Sequence, residues 1–323
     1  MVKKWKLALV LAVAGIPAAV FLGAFSKPVT EQVRLAVALT PLSAPIYVAQ
    51  DRRFFEQCGL NVALIETVGG KRAFESILSG DADFSTSSDS VATYQVGQET
   101  DFNILASFAT SENDVKILSH RQSLVSDNGE AIQLGYWSDS ASEHLVRTYL
   151  QLRQLDNQVS TVLAPQGELS RLFVANEIDA FSMWEPYIWK TIQELPEGQP
   201  YFLLPTEGLL SLHFMLLSSA EMKLRPDLAE RMLAALYLAV LDIHIEPEHA
   251  RRIVKEHLSL DMDFLHWVWD DYLFQLRNAV TLRYALLSNL RWLSDTNVQF
   301  SEQLDQAENF GDFPDLARKW CQE

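Results

Sequence analysis

Ser43, Ser87 and Ser88 each follow a segment that reads as a strand, and hydroxyls there, beside helix starts, can exchange hydrogen bonds with a polar solute. The same serines serve equally well as turn formers or helix caps. Gly69-Gly70-Lys71 would let backbone approach a ligand and would add a positive charge, against the plainer reading of a turn with a solvated lysine. Trp137, Ser138 and Ser140 share a polar loop, and Trp184 ends an apolar run. The indoles offer a flat wall and one N–H donor, or simply pack in the core. Asp89 and Glu185 are acids suited to an amine; Asp89 could instead cap a helix, and Glu185 could bridge a hinge. His213 either touches the same site or is a satisfied core histidine. Together these types describe a site that holds a small polar or anionic molecule, with no metal and no cofactor.

Catalytic signatures are missing. The chain has no GxSxG, HExxH, GxxxxGK(S/T) or GxGxxG, so no enzyme is expected, although Asp89, Glu185 and His213 would be the candidates for acid–base work. His244-Ile245-Glu246-Pro247-Glu248-His249 lacks the helical spacing of a metal pair, and Pro247 forces a turn. Cys58 and Cys321 are the only cysteines, and two buried or idle thiols are expected, with a disulfide allowed but not implied. The formal net charge of −16 excludes a nucleic-acid partner, which needs a basic face.

The elements that must position these residues come as an internal repeat. Strand patterns over 33–39 and 61–67 and a strand beginning at Asp81-Ala82-Asp83-Phe84-Ser85 alternate with helical spacing over 46–57 and 71–79, the second helix stopped by Gly80. The order returns with strands over 131–136, 159–163 and 178–182 and helices over 143–154 and 168–175. Asn176 takes the place of Gly80, and Asn is the next-best residue for the left-handed turn that ends a helix. Two β-α-β-α-β units predict an α/β fold of two lobes, with ligand held outside the carboxyl ends of the strands and buried by hinge closure.

The remaining chain frames the lobes. Lys3, Lys4 and Lys6 followed by an apolar run over 7–25 predict a signal peptide over 1–26 cleaved after Ser26, or an uncleaved anchor. The first lobe is expected over 31–119, the second over 120–205, and 206–323 is expected to complete the first with helices over 226–243, 248–257, 262–274 and 283–293. The crossings would fall near 119–122 and near Pro205.

Pro41-Leu42-Ser43-Ala44-Pro45-Ile46-Tyr47-Val48-Ala49-Gln50, then Phe54-Phe55 and Gly59-Leu60-Asn61-Val62, resembles the substrate-binding proteins of ABC importers for sulfonates, taurine, nitrate and thiamine-pyrimidine precursors. Ser79-Gly80-Asp81-Ala82-Asp83 and Asp179-Ala180-Phe181-Ser182-Met183-Trp184-Glu185-Pro186-Tyr187 match further family segments. The region 271–292 resembles the family's closing helical region, and the likeness spans 33 to about 295. Gly135-Tyr136-Trp137-Ser138-Asp139 departs from the family's glycine-serine loop, and Asn176 from its glycine. The resemblance implies a periplasmic-binding-protein type II architecture, each lobe a mixed sheet flanked by helices. It implies an exported monomer that captures a small solute and hands it to an inner-membrane permease. A membrane-anchored ligand sensor is the alternative, and an enzyme on the same fold the less favoured one.

Overall fold

The computed structural model describes residues 30–96, 101–126, 129–280, 282, 286 and 309–321. The expected signal segment lies outside them, as does the expected helix over 283–293 apart from Leu286. Among the described residues, no helix is long and apolar enough to cross a membrane.

Two mixed sheets carry the fold. The first contains β1 (Glu31–Ala38), β2 (Leu60–Thr67), β3 (Phe84–Ser88), β4 (Phe102–Ser111), β10 (Leu212–Ser219) and β11 (Tyr272–Asn278), in the order β11-β4-β10-β3-β1-β2. The second contains β5 (Val115–Ser119), β6 (Ile132–Tyr136), β7 (Val159–Leu163), β8 (Ala180–Trp184) and β9 (Phe202–Leu203), in the order β7-β6-β8-β5-β9. Each sheet has a parallel trio crossed by an antiparallel return strand, β10 on β3 in one and β5 on β8 in the other. The chain therefore passes between sheets at Ser111–Val115, earlier than the expected 119–122. Val115-Lys116-Ile117-Leu118-Ser119 is buried throughout and pairs with β8, so it belongs to the second sheet.

The repeat is visible in hydrogen bonds. Asp83 accepts from Arg34 N at 2.7 Å, and its own N–H donates to Arg34 O. Asp179 accepts from Gln133 N at 2.9 Å, and its N–H donates to Gln133 O. Gly80 and Asn176 both stand at positive φ, 78° and 57°, ending the preceding helices.

Helices flank both sheets: α1 (Ala44–Asp51), α2 (Phe54–Gln57), α3 (Gly69–Leu78) and α4 (Asp89–Val96) in the first half, and α5 (Ala141–Arg153), α6 (Gln166–Val174) and α7 (Tyr187–Glu194) in the second. Arg53, at φ 59°, breaks the expected 46–57 helix into α1 and α2. Beyond β10 come α8 (Pro226–Ile245), α9 (Pro247–Leu258) and α10 (Met262–Val268), and α11 (Phe313–Trp320) packs on α8. The expected helices over 262–274 and 271–292 give way to β11 from Tyr272. Tyr272, Phe274 and Leu276 are buried while Leu273 and Gln275 are exposed, a two-residue period that pairs with β4.

Cys58 and Cys321 form a disulfide, where idle thiols were expected. The cause is tertiary: α2, which ends just before Cys58, and α11, which ends just before Cys321, both pack against α8. That proximity has no signature in the spacing of two cysteines 263 residues apart.

Candidate functional site between the two sheets

The cleft is made by the places where strands stop. In the first sheet β1 runs into Thr40-Pro41, β2 into the start of α3, and β3 into α4; in the second, β6 runs into the loop before α5, and β8 into Pro186 and α7. A cavity of about 40 Å³ lies among these ends. Six expected site residues line it: Gly69, Gly70, Lys71, Ser88, Ser140 and Trp184.

Gly69 stands at φ +77°, and a Cβ there would lie 3.1 Å from Cζ2 of Trp184 on the other lobe. A Cβ on Gly70 would lie 2.8 Å from Ser87 Oγ, so the start of α3 runs directly against the end of β3. Neither position accepts a side chain without movement. Lys71 Nζ donates across the cleft to Asp139 Oδ2 at 2.9 Å. Ser90 Oγ and His144 Nδ1 make a second cross-cleft contact at 3.3 Å; burial lowers the His144 pKa, which favours the neutral ring. The two lobes are thus in contact, and the cleft is closed.

The other expected residues have structural tasks. Ser43 donates from Oγ to Ala38 O, Ser87 donates to Gly70 O, and Ser138 is half-buried without lining the cavity. Ser140 caps α5 by accepting from Ser142 N, and its own Oγ donates to Trp137 O. Trp137 stacks on Trp184, centroids 5.6 Å apart, and so backs the indole that faces the cavity. Asp89, 1% exposed, pairs with His213 Nδ1 at 3.1 Å; neither lines the cavity.

Glu185 sits beside the segment where the chain crosses between the sheets. Its side chain is fully buried and pairs with Lys116 Nζ at 3.1 Å; Asp271 is 3.7 Å from the same nitrogen. Its backbone N–H donates to Asp114 O across the crossing segment, and its Oε2 accepts from Trp189 N. Burial raises the Glu185 carboxyl above the ordinary range, an effect that Lys116 opposes.

Residues absent from the sequence expectations complete the wall: Thr40, Leu42, Val91, Asp114, Val115, Ala141, Leu212 and Phe214. Asp114 is 2% exposed. Its Oδ1 accepts from Tyr272 OH at 2.9 Å, and burial pushes its carboxyl up to about 7 against the pull of Lys116. The turn chemistry of Ser111-Glu112-Asn113-Asp114 between two apolar runs was the available signal for this residue. Among the described residues, no group of three His, Cys, Asp or Glu is placed to hold a metal.

Solved structures with the same fold include the aliphatic sulphonate binding protein SsuA of Escherichia coli, at TM-score 0.70 and 13% identity, covering 87% of this chain and 94% of that one. The alkanesulfonate-binding SsuA of Xanthomonas axonopodis pv. citri, bound to MOPS, matches at 0.69 and 14%, covering 88% and 96%. The nitrate-binding protein NrtA of Synechocystis PCC 6803 matches at 0.65 and 12%, covering 91% and 89%. The curated protein sequences contain no match. The family model for NMT1/THI5-like proteins matches residues 40–250, from the first cleft loop through α8 into α9, and the chain belongs to that family.

Proposed function

We propose that the chain is the solute-binding component of an ABC-type import system, which captures a small polar solute between its lobes and presents the closed form to a membrane permease. The observation that carries this reading is the cavity at the strand ends of two sheets, closed by contacts from opposite lobes: Lys71 to Asp139, and Gly69 against Trp184. Such a device works by binding ligand more tightly in the closed state than in the open one. The start of α3, which no side chain caps, supplies backbone N–H groups, and Trp184 supplies an apolar wall. Ligand contact by Gly69, Gly70, Lys71, Ser88, Ser140 and Trp184 is part of this reading. Support comes from the membership in the NMT1/THI5-like family and from the sulfonate- and nitrate-binding proteins that share the fold.

The Cys58–Cys321 disulfide suits an oxidising compartment outside the cytoplasm, in keeping with a basic and apolar N-terminal segment that directs export. Sequencing the N-terminus of the mature protein separates a carrier released at Lys27 from an anchored one. The function is tested by native mass spectrometry of protein purified without dialysis, together with small-angle scattering before and after ligand removal. A retained small molecule, and an expansion when it leaves, are expected. An empty cleft with a ligand-independent scattering profile would overturn the reading.

A further inference from the structure

We infer that Asp114 selects the ligand, and that the ligand carries a cationic, proton-bearing nitrogen that donates to Asp114 Oδ2. The inference rests on the solute-capture reading above and adds the charge of the solute.

Asp114 is 98% buried yet forms part of the cavity wall. Tyr272 OH occupies Oδ1, and among the described residues no donor reaches Oδ2. A largely desolvated carboxylate with a donor on only one oxygen is destabilised, and a bound cation relieves that cost. The charges nearby are matched inside the protein. Lys71 is held by Asp139, and Lys116 by Glu185 with Asp271 beyond it, while Asp89, hydrogen-bonded to His213, does not line the cavity. Lys71, the sequence argument for an anionic guest, is therefore already neutralised by the facing lobe. Asp114 is the carboxylate left facing the cavity, and a simple anion would meet it with water largely excluded. Backbone N–H groups at the start of α3 can still donate to acceptor atoms of the guest, so an organic cation or a zwitterion fits and a bare anion does not. The net charge of −16 draws cations toward the molecule at long range.

The groups facing Asp114 are Lys116 on β5, Glu185 after β8, Asp271 and Tyr272 at the start of β11, and Asn113 beside it. With burial holding the Asp114 carboxyl at about 7, a bound cation favours the ionised form and expels a proton. Affinity for a cation then rises with pH through neutrality.

The test is calorimetric titration of the whole protein with two matched pairs, benzamidine against benzoate and taurine against ethanesulfonate, from about pH 6 to about pH 8. In at least one pair the nitrogen-bearing member should bind about tenfold tighter or more. Its affinity should rise severalfold across the range. Asp114→Asn should remove both the preference and the pH dependence, while Tyr272→Phe, which leaves Oδ2 untouched, should keep the preference. Tighter binding of benzoate or ethanesulfonate would overturn the inference and leave solute capture standing, as would unchanged selectivity in Asp114→Asn. Absence of binding by all four probes also overturns it. Solute capture falls with it only if undialysed wild-type protein carries no small molecule and its scattering profile responds to none of the probes.

Discussion

Gly69 and Trp184 touch across the cleft, with the missing Cβ of Gly69 marking a point 3.1 Å from Cζ2 of the indole. The contact joins the helix start after β2 in one lobe to the end of β8 in the other. It exists only when the lobes are shut, and it needs a residue with no side chain at φ +77°.

Gly69→Ala should therefore disfavour closure twice, through the strained φ and through collision with Trp184. The left-handed conformation alone costs an alanine about 1 kcal/mol. With the collision added, ligand affinity should fall by about tenfold or more. Adding Trp184→Ala to test for relief separates the two effects, because it removes the collision and leaves the φ strain. Small-angle scattering should show the single variant more open than wild type at the same ligand concentration.

Asp114 should give the ligand-free protein a pH-dependent stability. Its carboxyl is raised in the folded protein to about 7, so the folded state holds the proton more tightly than the unfolded chain. Its contribution is greatest below the unfolded carboxylate pKa, declines as pH rises from about 4 to about 7, and is flat above that. Urea titrations at several pH values should show a loss on the order of a few kcal/mol over that window, less in Asp114→Asn.

The repeat was legible because its punctuation is local. Gly80 and Asn176 end helices at positive φ whatever surrounds them, and the strand and helix periods between them need no tertiary information. Six cleft-lining residues were reachable by the same route, since each lies at a strand end or within four residues after one. Of the ion cluster beside the crossing between the sheets, only Glu185 was legible, as a residue able to bridge a hinge. Lys116, Glu185 and Asp271 meet through three separate stretches of chain, and only folding brings them together. For the same reason β11 was read as helix: Leu273 and Leu276 satisfy a helical spacing as well as they extend the run Tyr272, Phe274, Leu276, and pairing with β4 decides between them.

Breaking the Lys116–Glu185 pair should cost far more than breaking the cleft pair. Lys116→Met leaves Glu185 fully buried with no cation, and such losses run at about 3–5 kcal/mol. The penalty should shrink at acid pH, where a Glu185 carboxyl already raised by burial takes up a proton. Lys116→Met combined with Glu185→Gln should recover part of the loss in a urea titration; full additivity of the two would argue against direct pairing.

Lys71 and Asp139 form a looser link, with 21% and 44% of their side chains exposed. Solvent screening limits such a pair to about 0.5 kcal/mol. Lys71→Met should change the open–closed balance by only about two- to threefold, and salt near 1 M should reproduce the effect in wild type. Single-molecule energy transfer between dyes on α6 and α9 reads that balance. A tenfold or larger change in the ligand-free protein would argue against a screened pair and for one that holds the lobes shut.

Reduction of Cys58–Cys321 should destabilise the protein without altering its ligand affinity. The bridge joins residues 263 apart, so it removes a large amount of chain freedom from the unfolded state, and a loss of about 2–5 kcal/mol is expected. Neither cysteine lines the cavity, and both sit where α2 and α11 pack on α8, away from the contacts that close the cleft. Cys58→Ser with Cys321→Ser should therefore lower the thermal midpoint while calorimetric affinity stays within about twofold of wild type. A parallel loss of affinity would show that the position of α8 is transmitted to the cleft through α1 and β1.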